Sequence, residues 1–144
     1  MQYMIEKDFK FEAAHVLPHH VGKCSRLHGH SWVVTVRVDG DAVVSQSVKQ
    51  SDSGMLMDFA VLKKIVQPLI DMLDHQHLNT VLRPIVSPTC EAIAHWLFEQ
   101  IGFTWPQMEE GGLEGPRVRG NVRLHSVTVH ETCTSRATVG ERLW

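Results

Sequence analysis

Residues 28–39 read His28-Gly-His-Ser-Trp-Val-Val-Thr-Val-Arg-Val-Asp39. Trp32, Val34, Val36 and Val38 alternate with Val33, Thr35, Arg37 and Asp39, the period-two pattern of a strand with one buried face. His28 and His30 stand two apart at its start, so their side chains share a face. Upstream, residues 2–14 read as a strand with partial alternation at Tyr3, Ile5, Phe9, Phe11 and Ala13, and His15 ends that run. If the two strands pair as an antiparallel hairpin, the end of the first meets the start of the second. His15, His28 and His30 can then converge on one ion. Three neutral nitrogen donors with a fourth position open is the arrangement of a catalytic zinc. Cys24 lies in the connecting loop, residues 16–27, within reach of whatever fills that position.

Beyond the hairpin, residues 40–53 are polar and read as a loop. Gly54 to Asp58 leads into a helix whose apolar stripe is Phe59, Leu62, Ile65 or Val66, Leu69 and Leu73, with Pro68 expected to kink it. Pro84, Ser87, Pro88 and Thr89 mark the entry to a second helix, with Ile93, Ala94, Leu97, Phe98 and Ile101 buried and Gly102 as its stop. Five glycines and prolines between 103 and 119 predict a long flexible loop. Two final strands are expected at about 120–132 and 134–142. The order β-β-α-α-β-β predicts an α+β domain: an antiparallel four-stranded sheet with both helices on one face. Its open edges are expected to be covered by self-association.

The bounds are those of one globular domain, residues 1–144. Hydrophobic residues make up 43% and charged residues 21%, which leaves room for an ordinary core. A net charge of -2 gives no nucleic-acid surface. No apolar run approaches the roughly 18 residues of a membrane span, and the first residues do not resemble a secretory signal. Three cysteines without framework spacing suit a reducing, cytoplasmic setting. Histidine, at ten residues, is the outlier, which supports metal or proton chemistry.

Other residues are read as follows, several with more than one role open. Cys24 is a fourth ligand in a closed structural site, an inert loop thiol, or a general base or nucleophile, since a thiol near a metal or imidazole is partly thiolate at neutral pH. Asp74-His75 is either a helix end or a carboxylate orienting an imidazole for proton transfer. Glu131 is either solvent-facing or an acceptor for the paired N–H groups of a pterin-like edge. Thr89 and Glu91 read most simply as a helix cap and a first-turn acid. His19 and His20 read as solvated. Cys90, Cys133, His95, His125 and His130 take structural roles, and Arg117, Arg119 and Arg123 a solvated loop rather than a phosphate site. Three histidines also suit iron, nickel or copper.

In order, the chain carries Phe11-Glu-Ala-Ala-His15, Cys24-x-x-x-His28-Gly-His30, Gly54-Met-Leu-Met-Asp58-Phe59, Leu73-Asp74-His75-x-x-Leu78-Asn79, Pro88-Thr89-x-Glu91 and His130-Glu131-Thr132. In these it resembles the 6-pyruvoyltetrahydropterin and 6-carboxytetrahydropterin synthase family over about residues 3–140. The resemblance implies the tunnelling fold, with trimers closing a barrel and stacking as a homohexamer whose active sites lie at subunit interfaces. It implies a Zn2+ held by His15, His28 and His30, and Cys24 as the base. Asp74 and His75 would complete proton transfer from a neighbouring subunit. Glu131 would anchor a small-molecule pterin, with Thr89 and Glu91 helping to form its pocket. The three-residue gap between Cys24 and His28 resembles the bacterial carboxy-forming enzymes of queuosine biosynthesis. The implied reaction converts 7,8-dihydroneopterin triphosphate to 6-carboxytetrahydropterin, acetaldehyde and triphosphate; the pyruvoyl-forming reaction and a non-catalytic zinc module are the alternatives. Ser31-Trp32 and Ala92 depart from the family's usual residues, and the 103–119 loop looks long for it.

Overall fold

A computed structural model describes residues 1–41, 54–105 and 121–140. Strand β1 (Gln2–His15) and strand β2 (His28–Asp41) form the antiparallel hairpin, in register from Gln2 opposite Asp41 to His15 opposite His28. Helix α1 (Phe59–Leu73) follows, then a two-residue strand β3 (Gln76–His77), a single helical turn α2 (Leu78–Val81), helix α3 (Cys90–Thr104), and strands β4 (Arg123–His130) and β5 (Arg136–Gly140). The sheet order is β3-β1-β2-β4-β5.

The four expected strands are present and antiparallel to their neighbours, but the sheet is five-stranded and mixed. The addition is β3, which pairs in parallel with Ala13 and Ala14 of β1. Two residues are too short to show periodicity, and β3 exists because the chain leaving α1 is pinned to Glu12: its carbonyl accepts the His75 N–H. Helix α3 runs past Gly102 to Thr104, so 103 and 104 are helix rather than loop; residues 106–119 lie outside the described residues, as do 42–53 of the other expected loop. The turn between the last strands is longer than expected, with residues 131–135 forming it, closed by the Glu131 N–H on the Ser135 carbonyl at 3.0 Å; residues 120, 141 and 142 of the expected strands lie outside the described residues.

Alternation divides the sheet cleanly. Phe9, Phe11 and Ala13 of β1, Trp32, Val34, Val36 and Val38 of β2, and Val127 and Val129 of β4 face one way and are buried against the helices. From α1 come Leu62, Ile65, Val66, Leu69, Ile70 and Leu73, and from α3 Ile93, Ala94, Leu97 and Ile101. Phe59, expected in the α1 stripe, is exposed. It is the first helical residue, beyond the edge of the buried face, and its ring lies 5.9 Å from the Lys7 ammonium. Phe98 is only partly buried. Asp58 caps α1 by accepting the Ala60 N–H, and Thr89 caps α3 by accepting the Ala92 N–H. The opposite sheet face is polar and internally bonded: Thr35 donates to Asp8 at 2.6 Å and Arg37 to Thr128 at 2.7 Å. Among the described residues no helix is long and apolar enough to cross a membrane.

Candidate metal centre and active site

The core face does not stop at Trp32. Two residues nearer the end of the sheet the same face carries His30, then His28, with His15 directly across the hairpin. The imidazoles therefore continue the apolar row, and His15 is wholly buried. His15 and His30 both stand edge-on to the Trp32 indole at 5.1 Å, and Trp32 is fixed by stacking on Phe11 and by donating to the Ala13 carbonyl at 3.1 Å.

Two backbone carbonyls set the ring tautomers. His15 donates Nδ1–H to Pro88 O at 2.8 Å, and His28 donates Nδ1–H to Arg26 O at 2.7 Å. Each Nε2 is left with a bare lone pair, and these two atoms are 3.0 Å apart. Facing lone pairs at that distance repel unless a cation lies between them. The buried His30 Nε2 has no hydrogen-bond partner. The ligand atoms of the three rings lie within 4.8 Å of one another. Burial lowers the pKa of His15 and of His30 below the ordinary histidine value, outweighing the Pro88 carbonyl and Glu131 for His15 and Glu131 for His30. Converging imidazoles, two of them anchored through Nδ1–H, are a metal-binding set, and the residues fit a zinc-like ion.

Glu131 is the predicted residue that joins this cluster. Its Oε1 is 3.5 Å from both His15 Nε2 and His30 Nε2. Asp74 and His75 form a pair of their own on the β3 side of β1. Asp74 Oδ1 accepts the Glu12 N–H at 2.8 Å and Oδ2 contacts His75 Nδ1 at 2.8 Å. The Glu12 amide, then the imidazole, hold the Asp74 carboxyl below the usual carboxylate range. His75 is in the left-handed region at φ 56°, uncommon outside glycine, and its side chain is exposed. An open cleft of about 560 Å³ runs past His30, Ser31, Glu12, His75 and His77, so His75 of the dyad and His30 of the cluster border one space. Cys24 is a free, half-buried thiol on a 3-10 turn, Lys23–Ser25, whose carbonyl accepts the Leu17 N–H. Thr89 is occupied as the α3 cap, and Glu91 is exposed in that helix's first turn.

Several supports were given no role of their own in the sequence. The Pro88 and Arg26 carbonyls are backbone groups, invisible to a search for ligand side chains. Asn79 accepts the Val16 N–H at 2.9 Å and donates to Val16 O at 2.8 Å, clamping the residue after His15. Cys90 is a structural thiol: it donates to Val129 O at 2.9 Å, and burial pushes its pKa up to about 11.

The model of the 6-pyruvoyl tetrahydropterin synthase family matches residues 4–142. The chain belongs to this family. Within it, the chain is 48% identical over 136 residues to a 6-carboxy-5,6,7,8-tetrahydropterin synthase of Synechocystis, covering 94% of this chain and 91% of the relative. It is 29% identical to the protein of the same name from Aquifex aeolicus, over 95% and 97% of the two chains. In structure it is similar to the 6-pyruvoyl tetrahydropterin synthase of Caenorhabditis elegans, with a TM-score of 0.74 at 26% identity over 99% and 97% of the chains. The fold is therefore that of the pterin synthases, and the chain is a pterin-processing enzyme of lyase type.

Proposed function

We propose that the chain is a zinc-dependent 6-carboxy-5,6,7,8-tetrahydropterin synthase acting in the cytoplasm in queuosine biosynthesis. The substrate would be 7,8-dihydroneopterin triphosphate, and the products 6-carboxytetrahydropterin, acetaldehyde and triphosphate. The observation that carries this reading is the convergence of three Nε2 lone pairs beside a carboxylate, in a chain 48% identical to a relative of that name.

His15, His28 and His30 would hold the metal, which supplies Lewis-acid polarisation of the substrate's side-chain hydroxyls when bound. The protein's own residues do the rest. Glu131 accepts two N–H bonds from the pterin edge and fixes the ring. Thr89 and Glu91 border the pterin pocket from the start of α3. Cys24 takes a proton from the substrate side chain as base. Asp74, ionised and tied to the Glu12 amide, keeps the proton on His75 Nδ1, so that His75 presents Nε2 for the second transfer. The His75 side chain is exposed in the single chain, which suits its serving a neighbouring subunit's site in a homohexamer.

Mass spectrometry of the products from zinc-loaded protein and 7,8-dihydroneopterin triphosphate tests the reading. A 6-carboxy product with acetaldehyde is expected. A 6-pyruvoyl product would move the chain to the other named activity of its family, and absence of turnover by folded, metal-loaded protein would refute the proposal.

A further inference from the structure

Glu131 has more to do than hold a pterin, and the reason is where its carboxylate points. Zinc–nitrogen and zinc–oxygen bonds of about 2.0–2.2 Å at tetrahedral angles separate neighbouring donor atoms by roughly 3.3–3.5 Å. The structure gives 3.0 Å between His15 Nε2 and His28 Nε2, and 3.5 Å from Glu131 Oε1 to each of His15 Nε2 and His30 Nε2. The two Glu131 spacings fall in that range, while the His15–His28 spacing is shorter. Glu131 also sits at the first position of the β4–β5 turn, its N–H held by Ser135 O at 3.0 Å, which fixes its backbone beside the cluster. The side chain is about a quarter exposed, at 27%, and leans over the His15–His30 edge of the cluster.

We infer that Glu131 is the metal's fourth protein ligand in the substrate-free enzyme and leaves the metal when a pterin arrives. A carboxylate engaged with a divalent cation cannot also accept two N–H bonds from a pterin edge. Pterin capture would therefore free a coordination position at the moment the substrate's hydroxyls need it. The free enzyme would keep a closed, four-ligand ion, less open to exchange, and the substrate would open it. The second half of this inference rests on the pterin-anchoring role proposed above, whereas the first half rests only on the three-histidine site.

The test uses the protein without substrate, so the product chemistry does not enter. The full-length chain is stripped with a chelator and titrated with Co2+, following visible absorption and chelator competition, for wild type, Glu131→Gln and Glu131→Ala. The expected result is one Co2+ per chain in all three, an altered ligand-field spectrum in both variants, and affinity lower by about tenfold or more. Adding 7,8-dihydroneopterin to wild type should shift its spectrum toward that of the variants. Circular dichroism on each apo protein shows whether a variant is folded, and Gln, which matches Glu in shape, keeps the test usable if Ala does not fold. Identical spectra in wild type and Glu131→Gln would overturn the proposal while leaving the histidine site intact. So would a sulfur-to-cobalt charge-transfer band that Cys24→Ser removes, because the fourth ligand would then be the thiolate. Failure of wild type to bind Co2+ would overturn the histidine site and this proposal together. A dihydropterin that binds without changing the wild-type spectrum would overturn the exchange step alone.

Discussion

Replacing Trp32 with Phe should damage the fold and the metal site by one cause. Trp32 is fully buried, stacks on Phe11 at 5.9 Å, and takes the edges of His15 and His30 at 5.1 Å each. Phe keeps a ring there but loses the indole N–H that donates to the Ala13 carbonyl at 3.1 Å. That bond contributes about 1 kcal/mol. The smaller ring also leaves a void beneath the imidazoles, costing roughly 1–2 kcal/mol more, well short of the ~3–5 kcal/mol of a full truncation to Ala. The sum, about 2–3 kcal/mol, corresponds to a fall in Tm of roughly 6–10 °C for a chain of this size. Thermal melts followed by circular dichroism in excess chelator measure the fold alone. Zinc competition at 25 °C then measures the site, where affinity should drop by about tenfold because two ligand rings lose their backing. A Tm within 2 °C of wild type would show that the Trp32 hydrogen bond and packing do not anchor this end of the sheet. An unchanged zinc affinity alongside a lowered Tm would refute the coupling between core and site.

Other outcomes follow from the same geometry. Saturating zinc at about a thousand times its dissociation constant should stabilise the folded chain by roughly 4 kcal/mol, and Tm should rise with zinc concentration; a Tm indifferent to zinc would remove the metal site. Because burial holds His15 and His30 below the ordinary value of 6.5, the unfolded chain binds more protons than the folded one below that pH. Stability in chelator should therefore be full above about pH 7 and decline as pH falls through the folded-state values, whereas urea melts that are flat from pH 8 to 5 would contradict the burial argument. Cys24→Ala should lose activity by about 10²-fold or more with zinc content unchanged; metal and activity lost together would make Cys24 a ligand. Asp74→Asn should lower turnover by a similar or larger factor and leave zinc content intact, and full activity in that variant would sink the orienting role.

The hairpin was legible from two independent patterns that agree: the Trp32–Val38 alternation and the histidines placed two apart at one end of it. Once β1 and β2 pair antiparallel, His15 must stand across from His28, and the structure has that pair in register. The α3 stripe was legible for the same reason, since Ile93, Ala94, Leu97 and Ile101 recur at helical spacing. Phe59 misled because a period says which face a residue takes but not whether the helix end is covered. Strand β3 could not be read at all, being made by the Glu12 backbone rather than by the residues of β3. The carbonyls of Pro88 and Arg26, which orient two imidazoles, are equally silent in sequence, although Pro88 belongs to a motif that marks the family. Asp74 and His75 were legible as an adjacent acid and imidazole, with a proton-transfer role implied only by the resemblance, and the structure alone connects them to the Glu12 amide and to the left-handed turn.

The histidine row is the end of the core rather than a graft upon it, and this joins two traits that drift separately in many enzymes. A mild lesion among Phe11, Ala13 and Trp32 would leave a chain that folds but loads metal poorly. Such a variant would pass for an enzyme starved of its ion, and surplus metal in the growth medium would restore it. Lineages in metal-poor settings would then tolerate less variation at these three positions than lineages with metal to spare, even though none of the three touches the ion.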